Sequence, residues 1–120
     1  MDFYQADLSG ANFSTTQLTE SVLTASNLTK ANMTGIKIAK SVLSNAILED
    51  ANLSHSLLAN VDLQRANLKN ANFSHSTLRN VSLSNADLRG ANFDGAILEN
   101  VDLTGAQLGK TQGLYLRRSK

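Results

Sequence analysis

His55 and His75 stand in two nearly identical stretches, ANLSHSLLAN at 51–60 and ANFSHSTLRN at 71–80. Paired imidazoles suggest two chemistries. They can share a transition metal, or one can act as a base toward a neighbouring Ser. The sequence completes neither. A zinc-type site needs three or four ligands, and the residues twenty positions beyond the pair are Gly35 and Gly95. No Cys can add a thiolate. Asp50, Asp62, Asp87, Asp94, Glu99 and Asp102 keep no fixed spacing to either His. There is no Gly-rich phosphate loop. The expectation is therefore no catalytic residue, no metal site, no cofactor and no small-molecule substrate.

Charge narrows the partners. Eleven basic residues face ten acidic ones, a net charge of +1. That balance argues against a polyanion-binding surface, so no nucleic-acid partner is expected, and it argues equally against a mimic of a polyanion. No apolar run approaches the roughly 18 residues of a membrane span. The start, MDFYQADLSG, lacks the basic and apolar segments of a signal peptide, which points to a cytoplasmic chain.

What must position any such residue is the repeat. Every fifth residue from Phe3 to Leu108 is Leu, Phe, Met or Ile, without a gap. Two residues earlier stands a small one in most units, as at Ala6, Ala11, Ser21, Ser26, Ala31, Ala46, Ala51 and Ala66. The residue between is usually Asn or Asp, so the unit is A(N/D)Lxx. On an α-helix a period of five winds the large residues around the cylinder. On a flat strand it puts them on alternating faces. A chain that bends once per unit solves both problems. The large and small residues then point inward and the other three positions face water.

The bend has a mark. Gly10, Gly35, Gly90, Gly95 and Gly105 fall two residues after the large one, as do Asn45, Asn60, Asn70, Asn80, Asn85 and Asn100. Gly and Asn tolerate positive φ most readily, so this position is the corner. A second period gives the number of sides. Asn12, Asn32, Asn52, Asn72 and Asn92 recur at twenty, as do Val61, Val81 and Val101. Twenty residues per coil means four sides. Like residues then stack, Phe13, Met33, Leu53, Phe73 and Phe93 as an inner column and Asn12 to Asn92 as an outer ladder. The ladder is expected to stabilise through amide-to-amide bonds along the rod.

With these residues the chain resembles the pentapeptide repeat family. The resemblance implies an all-β fold, a right-handed quadrilateral parallel β-helix of about 5.5 coils at ~4.8 Å spacing. Residues 1–109 are assigned to it and 110–120 to a C-terminal cap or tail. In that segment Leu114, Tyr115 and Leu116 are placed as a lid, with Arg117, Arg118 and Lys120 in water. The register runs back to Met1, so the first coil presents an open edge that a second chain, or more of the same protein, would cover.

Function is expected to be that of a non-enzymatic rigid scaffold. Its partner is another protein, or a second copy docking on the uncapped N-terminal coil. Candidate contacts are Val22, Val42, Ile47, Leu57 and Ile97, apolar where the unit wants Asn or Asp. Thr19, Thr24, Thr29 and Thr34 run around a coil and make no flat ice-binding array. Some family members imitate DNA and bind DNA gyrase or topoisomerase. That is the alternative, disfavoured because Lys30, Lys37, Lys40, Arg65, Lys69, Arg79 and Arg89 are mixed among the acids.

Overall fold

In the computed structural model, which describes residues 1–114, every fifth residue from Gln5 to Lys110 takes a positive φ. The values run from 53° at Asn100 to 78° at Gly90. Each is a corner, and the segments between corners are extended. Residues twenty apart pair in parallel, from Asp2↔Val22 at one end to Asn92↔Gln112 at the other. The result is a four-sided β-solenoid.

The sides are not equivalent. On the first three, opening at Met1, Ala6 and Ala11, most corners close with a bond from the small residue's N–H to the large residue's carbonyl three positions back. Examples are Ala6 to Phe3 at 2.9 Å and Ala31 to Leu28 at 3.0 Å. With φ positive at the third residue, these are type II turns. The fourth side opens at Thr16 and carries the regular strands β1 (Gln17–Thr19), β2 (Lys37–Val42), β3 (Leu57–Asp62), β4 (Thr77–Ser82) and β5 (Ile97–Glu99). They form one parallel sheet in chain order. β2, β3 and β4 run through their corners, so pairing to the adjacent coils replaces the tight turn. In β3 and β4 the next inward position takes a larger residue, Val61 and Val81 at 2% and 1% exposure, whereas in β2 it keeps the small Ser41. This side has five rungs and four steps between them. The period alone suggested about 5.5 coils because it counts partial coils at the ends.

The inward positions make a continuous apolar core. Met33, Leu53, Phe73 and Phe93 are sealed from water, and the rings of Phe73 and Phe93 stack at 4.9 Å with an interplanar angle of 1°. Phe13, in the first coil of the same column, is half-buried. It meets Phe3 across the open end edge-to-face at 6.4 Å. Ile36 stands where the unit expects a small residue and is fully buried. The small side chains of Thr16 and Ser56 in its column make room for it.

The repeat continues past the expected boundary at 109. Gln112 pairs with Asn92, and Thr111 N–H reaches the Leu108 carbonyl at 3.2 Å. The pattern breaks at Gly113, where a large residue would be due. A Cβ there would come within 2.6 Å of the Asp94 nitrogen, so only Gly lets the chain pass. Of the proposed lid, Leu114 packs against the core. Tyr115, Leu116, Arg117, Arg118 and Lys120 lie outside the described residues.

Ser56 is the flaw in this core. Its hydroxyl is buried without a partner, whereas Ser26 at an equivalent place bonds the Leu23 carbonyl at 2.8 Å. A buried unpaired hydroxyl costs about 1–3 kcal/mol. Ser56→Ala is expected to stabilise the fold by about 1 kcal/mol in urea denaturation, and Ser26→Ala to give no gain. Phe73→Ala, which empties a stacked position, is expected to cost about 3–5 kcal/mol in the same measurement.

Candidate functional site

The outward Asn or Asp of the unit has a local task. Its Oδ1 accepts the backbone N–H two residues on, at the entrance to the corner. Asn12 does this for Ser14 at 2.9 Å, Asn52 for Ser54 at 3.0 Å and Asn92 for Asp94 at 2.9 Å. Asn32 and Asn72 act alike. This corrects the ladder expectation. The five Asn form a column with paired backbones, but their amide oxygens turn inward on their own units. A carbonyl already bonded two residues away is poorly placed to bond a neighbour ~4.8 Å along the rod. An amide-to-amide bond between coils does occur elsewhere, from Asn100 Nδ2 to Asn80 Oδ1 at 2.6 Å, in a corner column.

Val22, Val42 and Ile47 give this bond up, since an aliphatic side chain has no acceptor. They are 38%, 36% and 38% exposed. The structure brings Val22 and Val42 together, paired as neighbours on the first side. Ile47 stands around the corner on the second side, between Asn27 and Asn67. Leu57 and Ile97 are different. They share the fourth side, where the outward column is Gln17, Lys37, Leu57, Thr77 and Ile97. No member of it is Asn or Asp, and among the described residues no tight-turn bond closes the corners of this side. Leu57 is half-buried between Lys37 and Thr77. Its apolar character and that of Ile97 suit a β-strand without invoking a partner.

Tyr4, 57% exposed, escaped the sequence reading. It turns the first corner of the side that carries Val22 and Val42. The signal was an aromatic at a position otherwise held by Ser, Thr or Gln, as at Thr24, Ser44 and Gln64. Between Asp2 and Asp62 the outward residues of this side are Val22, Thr24, Ala25, Val42, Ser44 and Asn45, none of them charged.

His55 and His75 stack, ring centroids 5.1 Å apart and planes 17° from parallel. Their in-plane lone pairs therefore do not converge. One metal held at 2.0–2.1 Å from each nitrogen needs those nitrogens no more than about 4.2 Å apart. Among the described residues no three His, Cys, Asp or Glu gather into a metal-holding group. Gly95 leaves the space that the ring occupies, since a Cβ there would lie 2.6 Å from His75 Nδ1.

Charged groups act in the same local way as the Asn. The Ser9 hydroxyl and N–H hold the Asp7 carboxyl below its ordinary value of 3.8. Thr104 does the same to Asp102. Asp87 is lowered chiefly by its bond from Arg89, which reaches it through Nε at 2.9 Å and Nη2 at 2.7 Å. Arg79 and Glu99 form a second pair at 2.9 Å, exposed on both sides, of a kind worth well under ~1 kcal/mol.

A four-sided parallel solenoid with a filled core, corners every five residues and an Asn or Asp cap on three of its sides defines a class of repeat protein. The pentapeptide repeat model matches in eight copies, over residues 2–35, 37–74, 46–85, 66–105 and 82–112. The chain belongs to the pentapeptide repeat family. It is similar to Rfr23 of the cyanobacterium Cyanothece 51142, with a TM-score of 0.69 and 38% identity over 79% of this chain and 62% of that one. HetL of Nostoc sp. strain PCC 7120, a pentapeptide repeat protein involved in heterocyst differentiation regulation, matches at 26% identity and a TM-score of 0.43, covering 92% and 63%. A pentapeptide repeat protein of the Arabidopsis thaliana thylakoid lumen matches at 33% identity and a TM-score of 0.40, covering 83% and 59%. The chain thus spans about three fifths of the length of these relatives. No protein of curated function matches it. No helix of the described residues is long and apolar enough to cross a membrane.

The three lowered carboxyls link stability to pH. A group depressed in the folded state adds stability above its unfolded value and loses it as pH falls through 3.8 and below. Asp7→Asn, Asp87→Asn and Asp102→Asn together keep each turn acceptor but remove the titration. The triple variant is expected to lose less melting temperature than the wild type between pH 7 and about pH 3, as read by circular dichroism.

Proposed function

We propose that this protein is a non-enzymatic, rigid scaffold that docks a protein partner on its first side. The observation that carries the proposal is the exposed Val22–Val42 pair. At both positions the unit's own stability favours Asn or Asp, which would close the turn. The chain instead presents aliphatic surface, flanked by Tyr4 and bounded at either end by Asp2 and Asp62. Apolar contact area in a neutral centre with a charged rim is the anatomy of a protein interface.

Enzymatic chemistry finds no support in the site. The stacked histidines are exposed and have no carboxylate bonded to either ring among the described residues. The DNA-mimic alternative needs a predominantly negative rod, and this chain carries eleven basic residues against ten acidic ones. In a gyrase supercoiling assay, stoichiometric protein is expected to leave the enzyme unaffected.

Val22→Asn with Val42→Asn separates folding from docking. Each Asn restores a turn bond, worth about 0.5–1.5 kcal/mol, so the double variant is expected to melt higher than the wild type. Immobilised wild-type protein is expected to capture from the native host's lysate at least one protein that the double variant fails to hold. Size exclusion with light scattering reports self-association in the same pair. Identical captured sets and identical oligomeric states for the two proteins would refute docking on this side.

A further inference from the structure

The outside of the solenoid has a hollow of about 430 Å³ at the corner of the second side, lined by Lys69, Asn70, Arg89, Gly90, Gly109 and Lys110. Its residues form three successive pairs, Lys69–Asn70, Arg89–Gly90 and Gly109–Lys110, stacked on three coils. Asn70 N–H bonds the Arg89 carbonyl at 3.1 Å, and Gly90 N–H bonds the Gly109 carbonyl at 3.0 Å. Gly90 and Gly109 lie on the diagonal of this block. Each removes a side chain that its column carries in the neighbouring coil, and the two gaps make the depression.

Both gaps are only partly refilled. The Asn70 amide folds over Gly90, where a Cβ would sit 2.2 Å from its Oδ1. The stem of Arg89 lies beside Gly109, with Cγ 3.6 Å from the Cβ position. The rim is three cations. Asp87 takes two of the guanidinium N–H groups of Arg89, and the remaining ones have no partner among the described residues. Lys69 and Lys110 make no salt bridge among the described residues. With Asp87 and the Asp50 carboxylate at its edge counted, the hollow carries a formal excess of one positive charge. On the N-terminal side Asp50 bounds it, its N–H bonded to the Lys69 carbonyl at 3.0 Å. Glu49, beside it, is turned to Asn67 Nδ2 at 3.3 Å.

We infer that this hollow binds a doubly charged tetrahedral oxyanion, the phosphate dianion either free or as a monoester. The sign of the charge is complementary, because phosphate and its monoesters carry about −1.5 to −2 at neutral pH. The donors match as well, since Lys69, Arg89 and Lys110 line the hollow from three successive coils and can offer N–H to a group with three or four acceptor oxygens. The site is separate from the Val22–Val42 surface and does not depend on it.

The test is a titration of ¹⁵N-labelled protein with inorganic phosphate, chloride holding the ionic strength constant. Saturable shifts are expected at the Gly90, Gly109 and Lys110 amides, and weaker binding at pH 5, where phosphate is a monoanion. Lys69→Gln and Lys110→Gln are each expected to weaken binding about two- to five-fold, the range for exposed charge pairs. Asp50→Asn is expected to strengthen it by a similar factor, and Lys30→Gln, on the same corner but remote from the hollow, to leave it unchanged. Phosphoserine serves as a second probe. Tighter binding than inorganic phosphate identifies the ligand as a phosphorylated group on a larger molecule, and equal binding identifies the free ion. Shifts that rise linearly without saturating, or that persist in the folded Lys69→Gln/Lys110→Gln variant, would overturn the assignment.

Discussion

The structure depends on a left-handed backbone residue at every fifth position. That conformation costs an L-residue about 1–2 kcal/mol where no glycine relieves it, and seventeen non-glycine residues adopt it here, Gly113 and the corner glycines aside. Lys40, Arg65 and Glu20 have no local side-chain hydrogen bond to ease the cost among the described residues. They hold it because the corner lets two side chains of every unit enter the core. Burial of each large residue contributes about 1.5–3 kcal/mol, which exceeds the strain of one corner. The Asn or Asp cap contributes further by binding the N–H that enters the turn. Strain, cap and burial thus balance unit by unit.

That balance explains how much could be read from the chain. The period of five, the inward pair and the Gly/Asn corner each leave a residue type at a fixed position, so they are legible. So is the four-sided coil, through columns such as Asn12 to Asn92. The role of the Asn was less legible. Stacking and turn-capping demand the same residue at the same spacing, and only the hydrogen bonds distinguish them. The fourth side carried a signal that went unused. Its outward column, Gln17 to Ile97, holds no Asn or Asp, and its next inward positions enlarge to Val61, Val81 and Val101. The first follows from corners that no tight turn closes. Leu57 and Ile97 therefore stood out against the motif but not against their own side.

The surface features obey a different logic. The hollow at Gly90 and Gly109 exists because two glycines fall on a diagonal across three coils, and a linear sequence shows that only after it is folded into rows of twenty. Tyr4 was visible only by comparison with the Ser, Thr and Gln at its equivalent positions. A cleft in a globular enzyme is announced by clustered, unusual residues. A solenoid makes its sites by omission, through a missing side chain or a missing cap.

Omission also explains why such sites are inexpensive here. Outward positions touch little beyond their own unit and the coils to either side, so replacing one perturbs stability locally. Val22 and Val42 forgo a turn bond each while Leu23 and Leu43 beside them remain fully buried. Gly90 and Gly109 forgo side chains while Leu88 stays sealed. A globular core transmits such changes, because its side chains interlock across the whole domain. In this rod the core is a column shared by all coils, and the surface can be rewritten one unit at a time. The proposed docking face and anion site would both draw on that independence. It also means that the Val22–Val42 surface and the basic hollow can be altered separately without cost to the fold.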